Sequence, residues 1–158
     1  MDDSRDSRME LLTFEIWRER FGIPLADVRE IVRAVSIARL PQAPLVVEGV
    51  INVRGSIVPT LDIRARFNLP PKAVEPSDHL VIAFAKHRLV AIRVDRVTDL
   101  LTLARSEVED VTVAVPGSTL VAGVAKLHDG LLLIHDLATF LSAAEAEALD
   151  GLGELMPP

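Results

Sequence analysis

Apolar and polar side chains alternate along the start of the chain as they do in half-buried β-strands. The apolar members of this alternation are Leu12, Phe14, Ile16, Phe21, Ile23 and Leu25. Period-two alternation places every second side chain on the same face of a sheet. The pattern therefore predicts a hairpin that turns within the charged segment Trp17-Arg-Glu-Arg20.

A second stretch, from Gly49 to Phe67, predicts a strand, a tight turn, another strand and a capped helical turn. Val50 to Val53 is rich in β-branched residues, and apolar positions resume after Arg54-Gly55. Glycine accepts a positive φ, which allows a tight hairpin turn at that point. Asp62 is a typical cap for the helical turn that ends at Phe67.

The plan of this stretch is repeated 74 positions later without a gap. The shift superimposes Gly49-Val50 on Gly123-Val124, Val53 on Leu127, Ile57-Val58 on Leu131-Leu132, and Asp62-Ile63 on Asp136-Leu137. A second hairpin is therefore expected around His128-Asp129-Gly130. The two halves of the chain are related by duplication.

The segment Asp27 to Arg33 is ambiguous, because its apolar residues fit helical spacing and are also β-branched. A shift of 69 aligns Val28, Glu30 and Ile31-Val32 with Val97, Asp99 and Leu100-Leu101, and the later copy has a strand pattern. Both copies are therefore predicted to be strands that bend at an aspartate.

Short strands separated by turn signals are typical of small barrels. The chain is predicted to be mainly β, with two tandem five-stranded barrels related by a pseudo-two-fold axis and with short helices. The predicted boundaries are a leader over 1–10, a first barrel over 11–70, a proline-rich linker over 71–78, a second barrel over 79–142, and a helical tail over 143–158.

Composition narrows the classes of function. The formal net charge is -6, which disfavours wholesale neutralisation of nucleic-acid phosphates. The chain has no cysteine, so it has no disulfide or thiolate metal site, and no cofactor or metal is predicted. No stretch has the pattern of a signal peptide or a membrane span, so a cytoplasmic location is expected.

The sequence offers little catalytic chemistry. The histidines lack a metal-binding spacing, and no G-x-S-x-G nucleophile motif occurs. His87 and His128 fall in predicted turns, and Asp136, next to His135, is interpreted as a helix cap. Several polar groups converging on one pocket are usual for catalysis, and the pattern gives apolar strands instead.

Arg54 is the strongest candidate for binding chemistry, because the tight turn can hold its planar guanidinium in a direction that suits a partner's carboxylate. Val28, Glu30 and Ile31 are the other candidates, and they form an apolar patch with one acid beside it. Two interpretations of Val28 and Ile31 stay open: they are core residues, or they belong to an exposed binding groove.

Several motifs together resemble the CheW family of chemotaxis coupling proteins over about Leu11 to Leu141. They are Phe21-Gly-Ile-Pro-Leu25, Val28-Arg-Glu-Ile31, Leu40-Pro41, Gly49-Val-Ile-Asn-Val-Arg-Gly55 and Val58-Pro-Thr-Leu-Asp62. The resemblance implies two SH3-like barrels packed together. It also implies a non-enzymatic adaptor that binds the cytoplasmic tips of chemoreceptors and the regulatory domain of the histidine kinase CheA, and so meets the membrane only indirectly through receptors.

The resemblance carries family contacts onto residues of this chain. Receptor contacts would be Val28, Glu30, Ile31, Arg54, Leu80 and Val81. Kinase contacts would be Gly49, Gly117, Ser118, Thr119 and Leu120. Other CheW-like proteins are a further class of partner.

The first hairpin turn departs from the family pattern. The turn Trp17-Arg-Glu-Arg20 is charged where the family commonly has a glycine-containing turn.

Two alternative functions stay open. A CheW-like scaffold of a non-flagellar chemosensory pathway would have the same sequence features as a chemotaxis adaptor. From a different class, a small-barrel nucleic-acid-binding module would need surface aromatics and a basic groove, and the composition does not favour it.

Overall fold

A computed structural model describes residues 7–33, 36–41, 43, 47–67, 69–109 and 121–137. Most of these residues lie in strands. The strands are β1 (Arg8–Ile16), β2 (Glu19–Pro24), β3 (Val28–Arg33), β4 (Val47–Val53), β5 (Ser56–Leu61), β6 (His79–Ala85), β7 (Arg88–Val94), β8 (Arg96–Ala104), β9 (Val108–Glu109), β10 (Val121–Leu127) and β11 (Gly130–His135). One short helix, α1 (Ile63–Arg66), follows β5.

The strands form two sheets. The first sheet has the order β8-β1-β2-β11-β10-β9, and the second has the order β3-β6-β7-β5-β4. Neighbouring strands are antiparallel except for one parallel pair in each sheet, β11 with β2 and β5 with β7. The predicted mainly β class is confirmed, including strand rather than helix over β3 and β8.

The duplication is visible in the register of the strands. The β4–β5 hairpin and the β10–β11 hairpin have the same length, and the shift of 74 superimposes their bounds. Each contains a bulge at the same place, between Val47 and Gly49 in one and between Val121 and Gly123 in the other. The sequence repeat is therefore a structural repeat.

The two halves exchange their first hairpins, which the predicted domain boundaries missed. The β1–β2 hairpin lies in the first sheet with β8 to β11, and the β6–β7 hairpin lies in the second sheet with β3 to β5. The division into barrels over 11–70 and 79–142 is therefore wrong, and the segment 71–78 connects two strands of one sheet. The sequence pattern identified the strands. The sheet that each hairpin joins depends on a parallel pair, β2 with β11 or β7 with β5, and pairing between such distant segments leaves no local signal in the sequence.

The structure describes part of the predicted leader and none of the predicted tail. Residues 8–10 belong to β1 and pair with β8, so the leader was predicted to be too long. Residues 1–6 and the tail over 143–158 lie outside the described residues. The helical turn that Asp136 was expected to cap also falls almost entirely outside them.

Hydrophobic burial explains the two-sheet arrangement. Each sheet encloses a small core of its own, around Leu11 and Leu132 in the first and around Ile51 and Ile82 in the second. A larger central core joins the sheets. It consists of Leu12, Phe14, Ile16, Phe21, Ile23, Val47, Leu61, Ile63, Val81, Ala83, Ala85, Val90, Ile92, Val94 and Leu137.

Candidate functional site

The candidate site lies where the β4–β5 turn meets the edge strand β3. Arg54 and Gly55 form the turn, with φ values of 51° and 88°. Asn52 Oδ1 accepts a hydrogen bond of 2.8 Å from the Gly55 N–H, which fixes the turn from within. A type I′ turn requires positive φ at both central residues, and the sequence prediction of a tight turn is confirmed.

The turn brings two predicted site residues together. Arg54 Nη1 donates to Glu30 Oε2 at 2.8 Å, and the two side chains are 77% and 17% exposed. A pair this open to water contributes little to stability. Since a guanidinium has five N–H donors in a planar fork, Arg54 can keep Glu30 and still present donors to a partner's carboxylate.

The alternation along β3 decides between the two interpretations of Val28 and Ile31. Val28, Glu30 and Val32 are half-buried on one face of the strand, whereas Ile31 is 40% exposed on the other. Val28 packs against the central core. Val28 is therefore partly a core residue, and Ile31 is a surface apolar residue on the edge strand that carries Glu30.

Leu80 and Val81, the other predicted receptor contacts, do not reach the surface. Both are 0% exposed; Leu80 belongs to the small core of the second sheet and Val81 to the central core. Their side chains cannot touch a partner in this fold, so this part of the site prediction is wrong. The strand β6 is almost continuously apolar, and such a run does not reveal which strand face is covered.

Gly49, a predicted kinase contact, is buried, and its lack of a side chain is a packing requirement. A Cβ built on Gly49 would lie 2.4 Å from the carbonyl oxygen of Ala38 and 2.7 Å from Ile37 Cγ2. Ala38 and Val50 also exchange two backbone hydrogen bonds of 2.9 Å beside it. The remaining predicted kinase contacts, Gly117, Ser118, Thr119 and Leu120, lie outside the described residues.

A cluster of charged side chains, absent from the sequence predictions, fixes the proline-rich segment against the second sheet. We call it the charge cluster; its members are Glu48, Arg64, Lys72, Asp78, Arg93 and Asp95. Arg93 Nε donates to both carboxylate oxygens of Glu48 at 2.9 Å, and its Nη1 donates to Asp78 at 3.2 Å. Arg93 Nη2 also donates to the Lys72 carbonyl oxygen at 2.7 Å.

The other half of the charge cluster is centred on Asp95. Arg64 Nη2 donates to its two oxygens at 2.5 and 2.6 Å, and Lys72 Nζ lies 3.3 Å from Oδ1. The backbone N–H of Trp17 donates a further hydrogen bond of 2.7 Å to Asp95 Oδ2. Lys72 Nζ also donates to Asp78 at 2.7 Å, so one ammonium links two carboxylates.

The pKa values of these acids follow from burial opposed by hydrogen bonds. Burial alone would raise the pKa of Asp78, but bonds from Lys72 and the Glu75 N–H outweigh it and hold that pKa below its usual value. Burial is likewise outweighed at Asp95 by bonds from Arg64 and Trp17, which lower its pKa. At Glu48 burial dominates over Arg93, and the pKa is raised. The cluster is therefore a structural network of paired charges.

A sequence signal for the charge cluster exists. Arg93 interrupts the apolar strand Arg88–Val94, and it is buried together with Asp78. A charge within an otherwise apolar strand needs a partner when it is buried. This signal indicates that Arg93 is paired, but it does not identify the acids, because they come from distant segments.

Neither a metal-binding group nor a membrane-spanning helix is found among the described residues. Within them, no group of three or more histidine, cysteine or acidic side chains could hold a metal ion. No helix in the described part of the chain is long and apolar enough to cross a membrane.

Comparison with known proteins gives consistent similarities. A family model described as CheW-like domain matches residues 10–145. A chemotaxis protein CheW from Treponema pallidum is 27% identical, with 93% of this chain and 90% of that protein covered. One from Klebsiella aerogenes is 29% identical, with coverages of 92% and 89%.

Among solved structures, the scaffolding protein TtCheW from Thermoanaerobacter tengcongensis matches with a TM-score of 0.77 and 26% identity. The match covers 88% of this chain and 96% of that one. The tandem SH3-like barrel architecture implied by the resemblance fits this neighbour, whereas the alternative of a nucleic-acid-binding module is not favoured.

Proposed function

Since the chain belongs to the CheW-like domain family and is a chemotaxis adaptor, we propose that it binds two specific partners, a chemoreceptor tip and the histidine kinase CheA. In this proposal the chain has no catalytic activity of its own. It works in the cytoplasm at receptor arrays and meets the membrane only through the receptors.

The observation that carries the proposal is the contact of Arg54 with Glu30 of the edge strand β3, which also presents Ile31 as an exposed apolar side chain on its other face. The Arg54–Glu30 contact of 2.8 Å joins a strongly exposed cation to the strand that presents Ile31. A helical hairpin lying along this edge strand could meet the guanidinium with an acid and Ile31 with an apolar residue. This surface is therefore our candidate for the receptor contact.

The kinase side of the proposal rests on the family alone. Gly49 is a packing residue, so it is removed from the candidate contacts. Residues 117–120 stay candidates from the family resemblance.

Calorimetric titration of the full chain with a receptor-tip helical hairpin, and separately with the CheA regulatory domain, tests the proposal. Arg54→Asn removes the cation while accepting the left-handed turn, because asparagine tolerates positive φ better than most residues. We expect it to weaken receptor binding about tenfold and leave kinase binding unchanged.

The matched control is Lys86→Asn. Lys86 is another exposed cation at the start of a hairpin turn, with a φ of 61°. Its replacement should leave both affinities unchanged. If neither partner binds at high micromolar concentration, the coupling function is refuted. If Arg54→Asn and Lys86→Asn lose the same receptor affinity, the site is refuted.

A further inference from the structure

Two side chains outside the β4–β5 turn fix the direction of Arg54. The last pair of the strand ladder flanks the turn, and the Gly55 N–H lies beyond it. Asn52 Oδ1 supplies the acceptor for this N–H at 2.8 Å, and Glu30 accepts from Arg54 Nη1 at 2.8 Å. Asn52 thus acts on Arg54 through the backbone of the turn, and Glu30 acts on its guanidinium.

The equivalent turn in the other copy of the repeat lacks this arrangement. The shift of 74 places Lys126 at the position of Asn52, and a lysine ammonium cannot accept a hydrogen bond. Asp129 of that turn accepts two hydrogen bonds of 3.0 Å from Arg20, so its carboxylate is engaged within its own sheet. Of the two turns, the one with Arg54 is therefore the one whose cation is supported by an accepting side chain.

Arg54 keeps one complete edge of its guanidinium for a partner. Among the described residues only Glu30 accepts a hydrogen bond from it, and the donor is Nη1. Nε and Nη2 lie on the other side of the planar group, where they can bind a carboxylate through two parallel hydrogen bonds. The free edge therefore has the donor geometry for one aspartate or glutamate.

The charges of the two segments that meet here also favour an acid. The strand β3 and the turn contain three arginines and one acid, Glu30, so they carry two positive charges in excess. The two arginines of the strand, Arg29 and Arg33, are exposed, and no ion pair joins them to any of the described residues. Pairing with Glu30 thus leaves these segments positive, which complements an acidic residue on a partner.

We propose that the receptor tip presents one aspartate or glutamate that binds side-on to Nε and Nη2 of Arg54, and that Asn52 is the residue that positions Arg54 for it. Nη1 stays with Glu30 in the complex. The inference rests on the proposed function, because its occupant is the receptor-tip hairpin named there. A turn that is already formed loses little conformational entropy on binding, so the acceptor on Asn52 contributes to affinity without touching the receptor.

The side-on contact is tested by nuclear magnetic resonance. The full chain labelled with ¹⁵N-arginine is titrated with the receptor-tip hairpin while calorimetry follows binding, and the Arg54 Nε–H resonance is identified as the one that Arg54→Asn lacks. We expect this resonance to move downfield and its exchange with water to slow in the complex. If the hairpin binds and the resonance stays unchanged at saturation, the side-on contact is refuted while the coupling function stands.

The positioning role is tested by a double-mutant cycle. Asn52→Ala should weaken receptor binding by about three- to tenfold, and Asn52→Asp, which keeps an acceptor, should restore most of that loss. In the Arg54→Asn background, Asn52→Ala should cause no further loss, because the residue it positions is gone. A cooperative urea transition verifies that each variant is folded.

Lys126→Ala is the matched control, because it makes the same kind of truncation at the equivalent position of the other copy, and it should leave receptor affinity unchanged. An equal loss from Asn52→Ala with and without Arg54 would show that Asn52 acts independently and would refute the positioning role. If the wild-type chain does not bind the hairpin at high micromolar concentration, the proposed receptor contact and this inference both fail.

Discussion

Replacing Gly49 by alanine would put a methyl group where the structure has no room for one. The new Cβ would lie 2.4 Å from the Ala38 carbonyl oxygen, about 1 Å closer than ordinary contact. A backbone carbonyl cannot rotate away as a side chain can, so the Ala38 segment has to move. That movement breaks the two backbone hydrogen bonds of 2.9 Å between Ala38 and Val50.

The cost can be estimated from these contacts. Two backbone hydrogen bonds contribute about 1–3 kcal/mol together, and overpacking by one methyl group costs about 1–3 kcal/mol. Because the two effects overlap, we expect Gly49→Ala to lower the free energy of unfolding by about 2–4 kcal/mol. At a urea dependence of about 2 kcal/mol per molar, the midpoint should fall by about 1–2 M.

The duplication supplies matched comparisons for urea titration. At Gly123, the equivalent position, the nearest atom is the side-chain atom Val108 Cγ1 at 2.5 Å and the nearest backbone atom, the Glu109 carbonyl oxygen, is 3.1 Å away, so the loss should be smaller. At Gly22 the nearest atom is Leu132 Cδ2 at 3.5 Å, and Gly22→Ala should lie within about 0.5 kcal/mol of wild type. A Gly49→Ala midpoint equal to that of Gly22→Ala would refute the packing argument.

Two further outcomes are expected for stability. Arg93→Met leaves Glu48 and Asp78 without their shared partner and should lower the free energy of unfolding, measured by urea titration, by about 3–5 kcal/mol. Arg96→Met, which removes a surface ion pair, should lower it by less than about 1 kcal/mol. Equal losses would contradict the structural role assigned to Arg93. Burial lowers the pKa of His135 from 6.5 to about 4, so below pH 6.5 the unfolded chain binds a proton that the folded chain refuses. The free energy of unfolding should therefore fall by up to roughly 3 kcal/mol between pH 7 and pH 4, as measured by urea titration. His135→Leu should show a shallower dependence of this free energy on pH. An unchanged pH dependence would refute the assignment of the effect to His135.

The sequence predicted those features that depend on local pattern. Alternation identified the first hairpin, the repeat predicted the second one around His128-Asp129-Gly130, and Asp62 caps α1 by accepting a hydrogen bond of 3.0 Å from the Arg64 N–H. The turn at Arg54-Gly55 has the expected positive φ values. Each of these depends on residues a few positions apart, where sequence spacing and spatial distance agree.

Features that join distant segments escaped prediction. The charge cluster unites Glu48, Asp78 and Arg93 from three segments, and spacing alone does not show that they meet. The burial of Leu80 and Val81 was missed because both faces of β6 are covered, one by the central core and the other by the small core of the second sheet. For the candidate site, the pairing of Arg54 with Glu30 was likewise visible only once β3 was placed beside the turn.

The exchange of hairpins between the halves has a consequence for biosynthesis. The β2 strand emerges early from the ribosome, but its parallel partner in the first sheet, β11, is made more than 100 residues later. At typical elongation rates that interval lasts about 5–20 s, during which the β1–β2 hairpin has an uncovered apolar face. In nascent chains arrested before residue 121, we therefore expect the β1–β2 hairpin to stay sensitive to protease and to recruit chaperones, because β10 and β11 of its sheet are missing, whereas all the strands of the second sheet are complete at Val94.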